Sequence, residues 1–263
     1  MMSTMKPRLL VVVAHPDDES FGCGSVLAHA TASGLETIVG CATRGEAGDC
    51  APGFDLGARP LAEVREHELR TAAAVLGVSR VVLLDHLDSG MDGEPAPGTL
   101  AAADVEVVAA QVRSMIDDVH PTVVVTLDGS DGHRDHLAIR EATLAEVRTP
   151  GTHRPARTYL SCLAQQNMAR WAAHQRALDR YGDYTAAASL GTPADQITTV
   201  VDVRRHLDLR WVAIRAHASQ TSPYEGLPTD LQEAFLATDH LRRVDPPWSG
   251  GPIETDLFEP TRS

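Results

Sequence analysis

LLVVVAHPDDE, residues 9–19, is the stretch that decides the fold. Residues 9–14 are apolar without interruption, with three valines at the centre. A short unbroken apolar run with a β-branched middle suits a strand buried on both faces of a parallel sheet. His15, Pro16, Asp17, Asp18 and Glu19 follow directly. Pro16 fixes φ and has no N–H, so the chain leaves the sheet there in a set direction. An imidazole and three carboxylates at the carboxyl end of a buried strand have little structural purpose. In open α/β sheets that edge is where ligands bind.

Outward from this stretch, strand and helix patterns alternate. Residues 22–33, GCGSVLAHATAS, read as a helix ended by Gly34. Residues 37–42 form a second buried strand, and residues 43–60, beginning TRGEAGD, a long loop. A loop of that length in a compact domain is usually functional or disordered. An amphipathic helix over 61–76 is closed by Gly77, and a third strand lies in 80–85. Residues 86–100 make a second long loop, 103–119 a helix, 121–127 a fourth strand, 128–135 a polar loop and 136–147 a helix. This is the pattern of βαβ units, hence an α/β fold with a Rossmann-like, doubly wound, mostly parallel sheet. Right-handed crossovers and short connections favour the strand order 3-2-1-4 and onward. The carboxyl ends of strands 1 and 4 then flank the topological switch point, and the metal site is expected there. Further strands are expected in 157–163 and 197–203, and helices in 165–181 and 204–219. A turn is expected over 221–228, a short helix over 229–238 and an irregular tail from 245. The chain reads as one domain over 1–263, with a Rossmann-like core in 1–150 and a distinct C-terminal part in 151–263.

Composition narrows the function. The chain has 263 residues, 43% of them hydrophobic, and a net charge of −13. That balance argues against broad nucleic-acid binding and against an anionic membrane surface. No apolar run approaches the roughly 20 residues of a membrane span, and MMSTMKPRLL carries no signal-peptide core. Cys23, Cys41, Cys50 and Cys162 form no CxxC pair, which fits a reducing cytoplasm and tells against thiolate-bound zinc. Lys6 is the only lysine, so Schiff-base chemistry has almost no candidate.

The switch-point residues form a metal-ligand set. Zinc takes imidazole nitrogen and carboxylate oxygen, and a catalytic centre uses three protein ligands with water in the open position. His15, one carboxylate of Asp17 and Asp18, and one imidazole of His133 and His136 supply that set. The second aspartate is then free to accept a proton from the activated water.

AHPDDE after the first strand, TRGEAGD after the second and HxxH after the fourth together resemble the zinc-dependent N-deacetylases of the LmbE/PIG-L type. That family includes the N-acetylglucosaminyl-phosphatidylinositol deacetylases and the deacetylases and amidases of mycothiol and bacillithiol metabolism. The resemblance covers about residues 8–220. It implies His15, Asp18 and His136 as zinc ligands, Asp17 as general base and His133 as the group facing the oxyanion or the leaving amine. It also implies substrate contacts at Arg65 in an RxxE segment, with a salt bridge to Glu68 as the alternative, and at Asp88 after strand 3, with a turn former as the alternative. Arg44 and Glu46, in the loop after strand 2, lie at the same carboxyl edge, where a substrate contact and a surface ion pair are both open. Arg44, Arg65 and Asp88 are not expected to touch the metal. His217 and Gln220, in AHASQ, resemble a late family motif, with packing and a direct role both open. Arg134 replaces the usual proline of HPDH. Asp131 stands where thiol-sugar members can carry a tyrosine, which tells against a mycothiol-pathway substrate. Ser25 ends GCGS where the family has GCGG.

The expected activity is removal of an N-acetyl group from an N-acetylglucosamine-type sugar by a cytoplasmic enzyme. The cofactor is Zn2+, with Fe2+ as the alternative ion. The partner is a small amino-sugar substrate, with no nucleic acid and no membrane span; a homo-oligomer is left open. Three rivals stand beside it. One is an amidase of the same mechanism on a larger thiol-sugar or natural-product conjugate. The second is a nucleotide-binding Rossmann-like protein, against which the missing GxGxxG counts. The third is a metal-binding protein without turnover.

Overall fold

The computed structural model describes residues 6–91, 93–149, 153–186 and 190–258. The leader over 1–5, residue 92 of the second long loop and residues 259–263 of the tail lie outside them. Seven strands form one sheet: β1 Arg8–Val13, β2 Glu36–Cys41, β3 Arg80–Leu83, β4 Val123–Leu127, β5 Arg157–Cys162, β6 Thr199–Asp202 and β7 Thr238–Asp245. Their order is β3-β2-β1-β4-β5-β7-β6. The first five pair in parallel, and β7 runs antiparallel to both β5 and β6. β1 is central, with Val11 opposite Val39 on one side and Val125 on the other. All its residues from Leu9 to Val13 are fully buried, as an unbroken apolar run between two helical layers requires.

Eight α-helices accompany the described sheet: α1 Asp18–Phe21, α2 Gly24–Ala32, α3 Leu61–Val75, α4 Val105–Val119, α5 Arg134–Arg148, α6 Gln165–Ala177, α7 Leu207–Ala216 and α8 Thr229–Leu236. The main core lies around β1, β2 and β4, and includes Leu27, Leu69, Ile116 and Ile139. A second cluster joins Met168, Trp171, Ile214, Tyr224, Leu231 and Leu236.

Two elements differ from expectation. The helix expected over 22–33 is α2, and a separate turn of helix that was not expected, α1, precedes it from Asp18, with the chain bending through Gly22 and Cys23 between them. Between α8 and 245, where no element was expected, the chain forms β7, which slots between β5 and β6. Its buried positions include Asp239 and Asp245, held by Arg210 and Arg154. Charged residues on the inward face hid the period-two pattern.

Candidate metal centre and active site

β1 ends at Val13, and the turn that follows delivers His15, Asp17 and Asp18 within a few residues. The His15 N–H donates to Asp18 Oδ2 at 2.8 Å, which folds the carboxylate back over the turn. β4 ends at Leu127, and the polar loop after it leads into α5, with His133 at the N-cap and His136 in the first turn. Because β1 and β4 are neighbours, the two groups meet. The His15 ring lies 4.6 Å from that of His133 and 5.4 Å from that of His136, centroid to centroid.

Each metal-facing imidazole is gripped on one nitrogen. His15 Nε2 lies 3.0 Å from Asp135 Oδ2 and 3.4 Å from Asp88 Oδ1, which leaves Nδ1 facing Asp18 Oδ2 at 3.7 Å. His136 Nδ1 lies 2.6 Å from Asp131 Oδ2, which leaves Nε2 facing Asp18 Oδ1 at 3.3 Å. A carboxylate that takes one imidazole N–H fixes the tautomer and points the other nitrogen at a metal. His136 Nε2 is buried and has no hydrogen-bond partner. Two imidazole nitrogens and the Asp18 carboxylate therefore converge, and one of those nitrogens lacks what a metal ion would provide. Among the described residues, the groupings whose ligand atoms all lie within 4.8 Å of one another are His15, His133 and His136, and His15, Asp88 and Asp135; Asp18 stands beside the first, 3.7 Å from His15 Nδ1 and 3.3 Å from His136 Nε2. In the second, each carboxylate already accepts protein N–H or O–H groups, from Gly90 in one case and from Ser89 in the other. That grouping supports the His15 ring.

Electrostatics follow from burial and these contacts. Burial opposes charge on His15, but Asp135, Asp88 and Asp18 outweigh it and raise its pKa to about 9. Burial likewise opposes charge on His136, yet Asp18 and Asp131 hold it well above the usual imidazole range. Burial alone would raise Asp18; the facing histidines reverse that and hold it well below the carboxylate range. Asp17 is pushed up to about 6, chiefly by burial and against the pull of Arg65. Burial and the neighbouring His15 and His136 charges lower His133 to about 4. Its Nδ1 accepts the Asp135 N–H at 3.1 Å, so as a neutral ring it carries its proton on Nε2.

Asp17 sits at the N-cap of α1 with φ of 113°, a conformation costing an L-residue about 1–3 kcal/mol. Arg65 helps to hold it there. This buried guanidinium donates to Asp17 Oδ2 at 2.9 Å, to Pro16 O at 2.6 Å and to Gly45 O at 2.6 Å. Gly45 has φ of 66°, and a Cβ on it would lie 2.2 Å from Arg65 Nη1, so the loop after β2 needs glycine there.

The other expected substrate residues are placed as follows. Arg44 is half-buried and pairs with Glu66 at 2.8 Å and Asp85 at 2.7 Å. Glu46 accepts the Asp88 N–H at 3.3 Å through Oε1, while its buried Oε2 has no partner. Asp88 is buried and reaches His15, so its carboxylate belongs to the surround of a metal-facing ring. His217 and Ser219 are buried behind the β1 turn. Asp135 is a partner that the sequence did not single out; Asp131 stood out there only as a departure from a family tyrosine, and Glu19 only as one of the acids of HPDDE. For Asp135 the signal was its place inside HxxH, an acid between two histidines.

The fold and the cluster define a class: an α/β protein with a His/Asp centre of metal-ligand type at the switch point of its sheet. Comparison with known families narrows this, since the family described as PIG-L, GlcNAc-PI de-N-acetylase, matches residues 10–147. The chain belongs to that family, and with it to the N-deacetylases that hydrolyse amide bonds. It is 33% identical to the 1D-myo-inositol 2-acetamido-2-deoxy-alpha-D-glucopyranoside deacetylase of Thermomonospora curvata, over 97% of this chain and 95% of that protein. The antimicrobial reagent A40926 pseudoaglycone deacetylase Dbv21 superposes with a TM-score of 0.60 at 21% identity, over 90% of this chain and 96% of that one. GalB, the 4-carboxy-2-hydroxymuconate hydratase of Pseudomonas putida, superposes with a TM-score of 0.60 at 18% identity, over 93% and 99%. A deacetylase and a hydratase share this architecture, so those superpositions speak for the fold alone. No helix among the described residues is long and apolar enough to cross a membrane.

Proposed function

We propose that this chain removes the N-acetyl group from an N-acetylglucosamine-type sugar or sugar conjugate, with zinc held by His15, Asp18 and His136. The observation that carries the reading is the pair of carboxylate-gripped imidazoles turned on Asp18, one with a buried nitrogen left without a partner. The likeness to a deacetylase of a glucosaminyl inositol over nearly the whole chain supports the substrate class.

A divalent ion in that place supplies Lewis acidity toward the amide carbonyl and acidifies water. The residues do the rest. Asp17 accepts the proton of the attacking water; a carboxyl raised to about 6 is still mostly ionised at neutral pH and is a better base than an ordinary aspartate. Arg65 holds the Asp17 carboxylate in place through Oδ2, leaving Oδ1 for the water. His133 is neutral and presents Nε2–H to the developing oxyanion or to the leaving nitrogen, with its ring set by the Asp135 N–H. Glu46, with its unpartnered oxygen, is assigned to sugar hydroxyls and Arg44 to the rim of the site; Asp88, whose Oδ1 is taken up by His15 and Gly90, is assigned to a sugar hydroxyl through Oδ2 alone. Arg65 serves the substrate through Asp17. The chain is taken to act as one domain.

The test is a panel of N-acetylated sugars and sugar conjugates, incubated with zinc-loaded protein and assayed for released amine and acetate. Turnover of a glucosamine-type member is expected. Asp17→Asn is expected to keep its metal and lose about 10²–10⁴-fold in rate. Release of a different acid, or full activity in Asp17→Asn, would overturn the reading.

A further inference from the structure

AHASQ, residues 216–220, lies far along the chain from the centre and touches no metal-facing atom, yet the structure wires it to Asp17. His217 ends α7, with its N–H on Ile214 O at 3.2 Å and its own carbonyl accepting the Gln220 N–H at 3.0 Å. Its Nε2 meets Glu19 Oε1 at 2.6 Å, and both side chains are fully buried. Ser20 Oγ donates to the same Glu19 oxygen at 2.6 Å. The other oxygen, Glu19 Oε2, accepts the backbone N–H of Asp17 at 2.9 Å. Phe21 packs edge-on against the His217 ring, with centroids 5.9 Å apart. Two residues on, Ser219 gives its N–H and its Oγ to Glu68 at 2.8 and 2.6 Å. Glu68 lies on α3, the helix that carries Arg65.

We infer that His217 is a positioning residue that acts through the Glu19 carboxylate to hold the strained backbone of Asp17. This rests on Asp17 being the base of the proposed reaction. Three observations carry it. Asp17 has a positive φ that persists only where its surroundings over-determine it. Its N–H goes to Glu19 and its side chain to Arg65, so two clamps, one on the backbone and one on the carboxylate, fix one residue. The Glu19–His217 pair is shut away from solvent, so it reaches neither substrate nor bulk water. A buried ion pair is weak evidence for stability as such, because desolvation offsets its attraction. A charge-assisted hydrogen bond of this kind does fix direction. Ser219, two residues on, ties the same segment to Glu68 of α3, the helix that carries Arg65.

The experiment uses the full-length zinc protein and the best substrate from the panel, with His217→Met, His217→Gln, Glu19→Gln and the double variant His217→Met/Glu19→Gln. Asp17→Asn is the reference. Metal content, kcat and KM are measured for each. A small displacement of a catalytic group typically costs on the order of a hundredfold. His217→Met is therefore expected to lose about ten- to a hundredfold in kcat, with full metal content and KM within about twofold. His217→Gln keeps an N–H for Glu19 and is expected to recover most of kcat. Because one residue acts through the other, the double variant should be no slower than the worse single variant. Wild-type kcat in His217→Met overturns the inference, as do additive losses or a loss that falls on metal content or KM. If His217→Met does not fold, Glu19→Gln decides: a loss confined to kcat supports the inference and an unchanged kcat overturns it. Full activity in Asp17→Asn removes both this inference and the base assignment, whereas an inactive Asp17→Asn beside an unaffected His217→Met removes this inference alone.

Discussion

At the scale of single residues, the centre is a set of imidazoles whose directions are fixed from behind. Asp131 shows how much one carboxylate can do. Its Oδ2 takes the His136 Nδ1–H at 2.6 Å, and its Oδ1 takes the His133 N–H at 3.1 Å. Its own carbonyl accepts the Tyr184 hydroxyl at 3.0 Å. From sequence, this position stood out only as a departure from the tyrosine of thiol-sugar members. The structure gives it work on both histidines of HxxH. Losing an outer partner of a metal-bound imidazole typically costs 10–100-fold in metal affinity. Asp131→Ala is therefore expected to bind zinc about 10–100-fold more weakly in chelator competition, and Asp131→Asn, which keeps an acceptor oxygen, less so. His136→Ala removes a ligand and should weaken binding further still. Equal affinity in wild type and Asp131→Ala would show that His136 needs no such grip. The candidate ligands were legible because HPDDE and HxxH put donor atoms at strand ends. Their partners were not, since a loop aspartate that caps a turn and one that orients an imidazole look the same in a sequence.

At the scale of elements, α1 is a single turn whose carbonyls cannot be satisfied from within. The second half of the chain supplies donors. Arg210, buried in α7, donates Nε to Ser20 O at 3.2 Å and Nη2 to Phe21 O, and pairs through Nη1 with Asp239 of β7 at 3.1 Å. Tyr224 Oη donates to Phe21 O at 2.9 Å, and Ser161 Oγ of β5 to Gly22 O at 3.0 Å. This accounts for what the sequence concealed. Strands β1 to β5 were readable because their buried faces are apolar. β7 was not, because two of its three buried positions are aspartates that need arginines distant in sequence, and only Leu241 is apolar. The same burial has a pH signature. Asp239 is raised from 3.8 to about 6, chiefly by burial, with Arg210 pulling the other way. Its folded pKa exceeds its unfolded one, so its relative contribution to stability is full below pH about 4 and is lost as pH rises to about 6. At ~1.4 kcal/mol per unit the loss is about 3 kcal/mol. Urea unfolding at a series of pH values from 4 to 7 is expected to show wild-type stability falling relative to Asp239→Asn by that order. Parallel curves would mean that Arg210 cancels the burial cost.

At the scale of the whole molecule, the question is whether residues 151–263 form an annex or part of one unit. The family match covers residues 10–147, which hold every candidate ligand and the base. Yet β5, β7 and β6 continue the same sheet, and Arg210, Tyr224, Ser161 and His217 all reach back to the turn after β1. Detaching the second half would strip β4 of a pairing strand and leave Glu19 without its buried histidine partner. That geometry favours one cooperative transition. The chain offers convenient reporters, because Trp171, Trp211 and Trp248 all lie in the second half while the metal set lies in the first. Unfolding of the zinc-loaded protein in guanidinium is therefore expected to give one midpoint by tryptophan fluorescence, by far-UV dichroism and by zinc release to a chromogenic chelator. Stripping the zinc should move the fluorescence midpoint to lower denaturant, although every candidate ligand lies in the first half, because a ligand that binds only the folded state stabilises the whole cooperative unit. Zinc released well before the tryptophans respond, or a fluorescence midpoint indifferent to zinc, would instead describe two units that unfold apart. The contacts between the catalytic turn and the second half would then add little to stability, and the wiring from His217 to Asp17 could act on catalysis only.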